Sequence, residues 1–141
     1  MQNRMELTFL SRAQNEAFAR VAIAAFVVQL NPTLPEMADI KTAVSEAVTN
    51  AIVHGYPEHM GDILLKVKLL SGNVIEITVR DQGRGIPDVE QARTPMFTTG
   101  GEERSGMGFT IMESFMTTFS VISTPGKGTT VHMRRKLQRR K

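Results

Sequence analysis

The feature that most constrains the fold is a long helix signal in residues 33–55. Thr33 and Glu36 form a capping-box pattern, in which each residue can satisfy a free backbone N–H of the other. Gly55 is a typical residue just beyond a helix end. The pattern therefore predicts a helix from about Leu34 to His54.

Polar and apolar residues of this predicted helix fall on different sides. The apolar stripe consists of Met37, Ile40, Val44, Val48 and Ala51. Glu46, Asn50 and His54 follow one another at intervals of one helical turn. Glu46 and Asn50 lie roughly 90° or more from the centre of the stripe. We expect them to face something other than the main core.

The other patterns predict an α+β fold. Ser11 and Gln14 resemble a second capping box, which opens a helix that ends near Leu30. The remaining predicted elements are strands at 5–10, 63–70, 74–80, 119–123 and 129–134, and a third helix at 108–116. The sum is one domain over residues 1–141, a two-layer sandwich of three main helices on a mixed, mainly antiparallel sheet.

Charge is concentrated near the end of the chain. Six of the 17 basic residues are Arg134, Arg135, Lys136, Arg139, Arg140 and Lys141. The rest carries 11 basic against 14 acidic residues, so a basic domain face is not indicated. We expect the basic tail at 134–141 to be a solvated, frayed terminus, although contact with an acidic partner is an alternative.

Composition also limits the class of protein. There are no cysteines, which removes disulfides and thiolate metal sites and suits a cytoplasmic protein. No apolar stretch reaches the roughly 18 residues of a membrane span, and no secretory signal is visible at the N-terminus. We therefore expect no membrane partner.

The Glu46–Asn50 pair has the chemistry of a phosphoryl-transfer site. The carbonyl oxygen of Asn50 can bind Mg²⁺, an ion that prefers oxygen ligands and is usually shared with substrate phosphates. Glu46 could deprotonate or orient an attacking hydroxyl or water. Taken alone, the pair favours the alternative of an ordinary solvated helix face, because a Glu and an Asn at this spacing recur often by chance.

Two glycine-rich turns follow the helix. Asp81 ends a predicted strand before Gly83 and Gly85, where it could accept a hydrogen bond from an exocyclic amine of a base. A tight turn started by an Asp is the alternative. The sequence contains no P-loop motif. It also lacks the G-x-G-x-x-G dinucleotide-binding motif, because a motif that starts at Gly83 requires Gly at the position of Asp88.

The second turn, Ser105-Gly106-Met107-Gly108, precedes the third predicted helix. Backbone N–H groups at a helix N-terminus bind phosphate, and Arg104 is placed to reach a terminal phosphate. The alternative is that the glycines only allow a turn in a loop and that Arg104 is a solvated charge. Residues 94–105 look like a mobile loop or lid. Gly128-Thr129-Thr130 opens the last strand, and we expect its hydroxyls to face the same site.

The order and spacing of these motifs resemble the GHKL ATP-binding family, which includes histidine kinases, type II topoisomerases and mismatch-repair ATPases. Glu46 to Asn50 matches the N box, residues 81–85 the G1 box, residues 105–108 the G2 box and residues 128–130 the last patch. Within the family the chain resembles the anti-sigma serine kinases of spore-forming bacteria. The segments that carry this resemblance extend over most of the chain.

The resemblance implies a Bergerat-type ATP-binding fold in a homodimeric, cytoplasmic serine kinase. Such a protein binds a sporulation sigma factor and phosphorylates a serine of an anti-anti-sigma antagonist, with ATP/ADP and Mg²⁺ as ligands and no direct contact with nucleic acid. Carried onto this chain, Asn50 would hold Mg²⁺, while Glu46 and Arg104 would be catalytic. The implied nucleotide contacts are Asn50, His54, Asp81, Gly83, Gly85, Ile86, Thr98, Thr99, Ser105, Gly106, Met107, Gly108, Phe109 and Thr130. His54 would have a supporting role, and Thr98, Thr99 and Arg104 would close the lid.

Residues 1–30 are the predicted dimerisation and partner-binding region. Arg20 is the only charged residue between Glu16 and Glu36, in a helix with more apolar surface than one core face needs. It could be an interface anchor or could simply extend to water. A nucleotide-dependent binding module without kinase activity is the alternative function. A histidine kinase is disfavoured, since no separate segment carries a phosphoacceptor His.

Overall fold

The computed structural model describes residues 1–84 and 104–138, with side chains of the second range described from Gly108 onward. The helices are α1 (Gln14–Val27), α2 (Leu34–Asn50) and α3 (Arg104–Phe115), with a 3₁₀ turn at Val28–Leu30 and a π-helical turn at Ala51–Gly55. The strands are β1 (Asn3–Leu10), β2 (Asp62–Leu70), β3 (Val74–Asp81), β4 (Thr118–Thr124) and β5 (Gly128–Lys136). The predicted α+β architecture is confirmed.

The five strands form one sheet in the order β1-β2-β3-β5-β4. Every neighbouring pair of the described strands is antiparallel, so the mainly antiparallel sheet that was predicted is found, without the parallel pairing that a mixed sheet would include. β5 lies between β3 and β4, and its register sets Thr129 opposite Asp81. The end of β3 therefore meets the start of β5.

The helices cover one face of the sheet, and α2 contacts both α1 and α3. Ile40, Val44 and Val48 of the predicted stripe are fully buried. They belong to one core cluster with the alternate, inward-facing residues of β2: Ile63, Leu65, Val67 and Leu69. Burial of such side chains stabilises the fold by roughly 1.5–3 kcal/mol each.

The first turn of α2 is closed as predicted. The Thr33 hydroxyl accepts the Glu36 N–H at 3.1 Å, and the Glu36 carboxylate accepts the Thr33 N–H at 2.8 Å. The second Glu36 oxygen accepts the backbone N–H of Gln138 at 2.7 Å. A residue 102 positions away thus completes the helix start.

The capping box predicted at Ser11 was wrong. The residue before α1 is Ala13, which makes no side-chain cap. The Ser11 hydroxyl instead accepts the Gly61 N–H at 3.0 Å, while the Ser11 N–H donates to the Gly61 carbonyl at 2.9 Å. Ser11 therefore joins the loop before β2 to the end of β1.

The end of α2 also differs from the prediction. The α-helix stops at Asn50, and residues 51–55 continue as a π-helical turn. The Tyr56 N–H donates to the Ala51 carbonyl at 3.2 Å, the i→i−5 bond of such a turn. π-Turns are rare and frequently lie at functional sites.

The face of the sheet that the described residues leave uncovered (hereafter the uncovered face) is basic, contrary to the sequence-based expectation. Lys66, Lys68 and Arg80 line a shallow depression there together with Glu76 and His132. The net charge of the chain is a sum over all surfaces, so it does not reveal that basic residues are gathered on one face. Alternation along β2 and β3 places these cations on one side.

The start of the predicted basic tail is structured. Arg134 pairs with Glu76 and Arg135 with Asp39, and Leu137 is buried. Residues 134–136 belong to β5 and are not a frayed end, whereas residues 139–141 lie outside the described residues. Across the described ranges, none of the helices combines the length and apolar character needed to cross a bilayer.

Candidate nucleotide site

A small cavity lies where the end of α2, the end of β3 and α3 meet. Its volume is about 20 Å³, room for about one water molecule. Most of its wall is apolar, with a few polar groups from the predicted motifs. It is lined by Ala47, Asn50, Ala51, His54, Gly55, Val79, Asp81, Phe109, Thr129 and Val131. The structure thus brings Asn50, His54, Asp81 and Phe109 together.

Asp81 is a buried carboxylate at the end of β3, with 6% of its surface exposed. It accepts the Gly83 N–H at 2.9 Å and is also hydrogen-bonded by the backbone N–H of Thr129. Burial raises the pKa of Asp81 above its ordinary value, although the two N–H groups act in the opposite direction. A group that is costly to bury in its charged form is a functional-site candidate.

Two glycines are required for the backbone around Asp81. A Cβ on Gly55 would stand 2.8 Å from the Asp81 Cγ and 2.9 Å from its Oδ1. A Cβ on Gly83 would overlap the Gly55 carbonyl. The glycines therefore allow the end of the π-turn, the carboxylate and the following loop to pack in direct contact.

Asn50 has the unsatisfied chemistry expected of a metal ligand. Its side chain is 92% buried, and neither Oδ1 nor Nδ2 has a hydrogen-bond partner among the described residues. Buried amides without partners are costly. The carbonyl oxygen fits a cation such as Mg²⁺ that takes one protein oxygen and shares the rest with phosphates and water. The described residues contain no cluster of three His, Cys, Asp or Glu side chains that could hold a metal by itself.

Gly108 places α3 directly on the Glu46–Asn50 pair. A Cβ on Gly108 would lie 3.0 Å from the Asn50 Nδ2 and 3.2 Å from the Glu46 Oε2. Glu46 is half-buried, one helical turn before Asn50. The predicted G2 and N boxes therefore meet in space.

His54 lies in the π-turn and contributes to the cavity wall. Its backbone carbonyl accepts a hydrogen bond from the Arg84 Nε at 3.0 Å. The turn thus holds the imidazole beside the cavity and ties its own backbone to the loop after β3. This geometry is compatible with the supporting role expected for His54.

The structure places Thr129, not Thr130, at the cavity. Thr130 lines the depression on the basic, uncovered face of the sheet. Thr129 is buried beside Asp81, and its hydroxyl is hydrogen-bonded with that of Ser123 at 2.8 Å. Strand alternation separates the two threonines. Val131, two positions after Thr129, is apolar and is buried in the structure. Because residues two positions apart in a strand share a face, this valine is the sequence signal that could have identified the inward face.

Several predicted contacts cannot be compared with the structure. Gly85, Ile86, Thr98 and Thr99 lie outside the described residues, as does most of the predicted lid at 94–105. Arg104, Ser105, Gly106 and Met107 form the first turn of α3, and their side chains are not described. The helix thus begins at Arg104 and not at Gly108, so this glycine-rich segment is helical backbone.

Arg20 lies away from the cavity, on α1. Its Nε donates to the Glu16 carboxylate at 3.1 Å. Its side chain is 42% exposed and borders a depression between α1 and α2 that also includes Lys41 and Ser45. Sequence reasoning treated Arg20 as isolated and missed this i, i+4 ion pair.

Comparison with known proteins identifies the class. A family model described as a histidine kinase-like ATPase domain matches residues 9–135. The RsbU and RsbW domains of a Mycobacterium tuberculosis protein superpose with a TM-score of 0.71 at 20% identity, over 96% of this chain and 32% of that chain. A histidine kinase domain from Erythrobacter litoralis gives 0.58 at 22% identity, over 86% and 60%. These two likenesses concern the fold, and the chain belongs to the histidine kinase-like ATPase family.

Sequence relatives narrow the family further. The anti-sigma F factor of Thermoanaerobacter sp. (strain X514) is 60% identical over 132 residues, covering 93% of this chain and 92% of that protein. The anti-sigma F factor of Bacillus licheniformis is 52% identical over 143 residues, covering 100% and 97%. That of Geobacillus kaustophilus (strain HTA426) is 54% identical over 142 residues, covering 100% and 97%. Within its class, this chain belongs with the anti-sigma F factors.

Proposed function

We propose that this chain is a cytoplasmic anti-sigma factor that binds and inhibits a sporulation sigma factor. We further propose that it is a serine kinase, which uses ATP to phosphorylate an anti-anti-sigma antagonist. The observation that carries the proposal is the close approach of Gly108, in the N-terminal half of α3, to Asn50 and Glu46, which brings together a partnerless buried amide and a carboxylate. The names of its relatives support the anti-sigma role.

Nucleotide recognition would begin at Asp81. Its carboxylate oxygens can accept a hydrogen bond from the 6-amino group of adenine, while the N–H groups of Gly83 and Thr129 hold it in place. The absence of a side chain at Gly55 and Gly83 leaves backbone beside the carboxylate. Asn50 would hold Mg²⁺ through Oδ1, and the ion would neutralise charge on the β- and γ-phosphates.

The chemical step is an in-line transfer. Glu46 accepts the proton of the antagonist's serine hydroxyl, and the serine oxygen forms a bond to the γ-phosphorus. The bond between that phosphorus and the β–γ bridging oxygen breaks, and its electrons leave with ADP. Gly108 keeps α3 close enough to Glu46 and Asn50 for the base and the phosphates to share one site.

The decisive experiment is incubation with γ-labelled ATP and candidate antagonist proteins. We expect phosphoserine on the partner. Glu46→Gln should keep ATP affinity and lower transfer by about 10²–10⁴-fold, the usual contribution of a positioned base. Glu58→Gln, which removes an exposed carboxylate from a loop, is the matched control and should retain full transfer.

The outcomes separate the proposal from a nucleotide-dependent binding module. Full transfer by Glu46→Gln would remove the assigned base. Wild-type protein that retains a sigma factor in the presence of ATP but labels no antagonist would be a binding module. Label on the chain itself would indicate autophosphorylation.

The first 30 residues are proposed to serve dimerisation and partner binding. Phe18 and Val21 of α1 and Val28 of the following 3₁₀ turn are each more than half exposed. Exposed apolar side chains next to an Arg are typical of an interface core. Arg20→Ala should weaken binding of the sigma factor or antagonist while ATP affinity stays unchanged.

A matched variant separates two roles of Arg20. Glu16→Gln breaks the same ion pair but leaves the guanidinium in place. If partner contact is the role of Arg20, only Arg20→Ala weakens partner binding. Equal losses in both variants would assign the effect to the ion pair within α1.

A further inference from the structure

Tyr56, the only tyrosine of the chain, is buried immediately after the π-turn. Its hydroxyl accepts the Gln82 N–H at 2.7 Å and donates to the Asp62 carbonyl at 2.8 Å. Gln82 directly follows Asp81, and Asp62 is the first residue of β2. One hydroxyl thus joins the ends of two neighbouring strands at the cavity.

The ring of Tyr56 has little room to move. Gly61 packs so closely on it that a Cβ there would overlap the ring, and His59 meets it edge to face at 5.7 Å between centroids. The Tyr56 N–H closes the π-turn at Ala51. The hydroxyl is therefore held in place from both the ring side and the backbone side.

The Asp81–Gly83 segment depends on this hydroxyl. Asp81 accepts the Gly83 N–H, and between them the Gln82 N–H is directed at Tyr56. Without the hydroxyl, the Gln82 N–H loses that acceptor, and the peptide that follows Asp81 can rotate. The carboxylate would then lose its orientation although every atom that touches a nucleotide is still present.

We propose that Tyr56 is a positioning residue that aims Asp81 at the 6-amino group of the adenine base. The proposal rests on the proposed function, because it assigns Asp81 to adenine. Burial raises the pKa of the Tyr56 phenol, so the hydroxyl keeps the proton that it donates to Asp62 throughout the neutral range.

The test compares two nucleotides in the full chain. Purine riboside triphosphate has hydrogen in place of the 6-amino group and therefore cannot report on the Asp81 contact. Tyr56→Phe should lower ATP affinity about five- to tenfold, the size expected for one hydrogen bond, and leave the affinity for purine riboside triphosphate unchanged. Amide hydrogen exchange at Gln82 should become faster in the same variant.

Thr78→Val is the matched control. It also removes a hydroxyl. Thr78 lies on β3, the strand that ends at Asp81, but on the opposite face of the sheet from Asp81, where its hydroxyl is hydrogen-bonded with the His132 Nε2 at 3.2 Å. It should change neither affinity. A general loss of stability would weaken binding of both nucleotides equally.

The outcomes are distinguishable from failure of the proposed function. If wild-type protein does not prefer ATP over purine riboside triphosphate, the assignment of Asp81 to adenine fails. If it does prefer ATP and Tyr56→Phe preserves the ratio of the two affinities, Tyr56 has no positioning role.

Discussion

The two ends of α2 treat buried polar groups in opposite ways. At its start, Glu36 is 5% exposed and receives N–H groups from Thr33 and Gln138. At its end, Asn50 is 8% exposed and has no hydrogen-bond partner among the described residues. The start of the helix is completed by the chain itself, whereas the polar group at its end is the one that we propose binds a ligand.

The carboxylates near these ends show the same contrast. Burial alone would raise the pKa of Glu36, but hydrogen bonds from Thr33 and Gln138, with Arg135 nearby, bring it below its ordinary value. Burial raises the pKa of Asp81, and its two backbone donors do not offset the effect. The direction of the pKa shift thus distinguishes Glu36, a buried carboxylate that stabilises the fold, from Asp81, a buried carboxylate to which we assign a ligand.

The largest effect on ATP affinity should come from Asn50→Leu. It replaces the partnerless amide by an apolar group of similar size, so we expect ATP affinity in Mg²⁺ to fall by about 100-fold, as when a metal ligand's environment is lost. The free energy of unfolding should rise by about 1–2 kcal/mol, since a buried unsatisfied group is removed. Calorimetric titration and chemical denaturation measure the two. A fall in stability would mean that Asn50 is satisfied within the fold.

Glu36→Gln should produce the reverse pattern. One carboxylate oxygen becomes an amide NH₂ that faces a backbone donor, so the free energy of unfolding should fall by about 1.5–3 kcal/mol. ATP affinity should be unchanged, because Glu36 lies at the far end of the helix. Thr33→Ala, with an expected loss of about 1 kcal/mol, tests the same cap from its other side. A loss of ATP affinity would show that the two ends are coupled.

A smaller effect should separate the adjacent threonines. Thr129→Val removes a hydroxyl beside Asp81, so ATP affinity should fall about two- to tenfold. Thr130→Val alters the uncovered face of the sheet and should leave ATP affinity unchanged. Fluorescent-nucleotide titration of both variants is sufficient. A larger loss with Thr130→Val would return the contact to the residue chosen from the sequence.

The smallest effect concerns pH. The folded-state pKa of Glu36 lies below its ordinary 4.5, so the stability lost in Glu36→Gln should be present above pH 4.5 and disappear as pH falls through the folded-state pKa. The folded-state pKa of Asp81 lies above its ordinary 3.8, so its destabilising effect is present above the folded-state pKa and is removed as pH falls toward 3.8. Relative to Asp81→Asn, the wild type should therefore become more stable on acidification. Denaturation of both variants across this range tests the signs, and parallel curves would contradict them.

What could be predicted from the sequence was local or strongly periodic. The Thr33–Glu36 cap, the stripe of α2 and the position of Asp81 at a strand end depend on neighbours along the chain. Ser11 was misassigned because its partner, Gly61, is 50 positions away. Alternation with Val131 could have favoured Thr129 over Thr130, but the position of Thr129 opposite Asp81 required the strand register.

Other features required three-dimensional packing. The π-turn after Asn50 has no pattern of its own, because Ala51 to Gly55 also fit an α-helix. The role proposed for Tyr56 depends on two backbone groups that no side-chain pattern reveals. The basic face arose from strand alternation that an average of charge cannot detect.

The position of β5 affects how the protein is made. The strand that follows all the others in the chain lies inside the sheet, between β3 and β4. Until residues 128–136 leave the ribosome, β3 has an unpaired edge and Asp81 lacks the N–H of Thr129. Completion of the cavity beside Asp81 and closure of the sheet both depend on this last strand, and a nascent chain that stops before Gly128 leaves the edge of β3 open to aggregation.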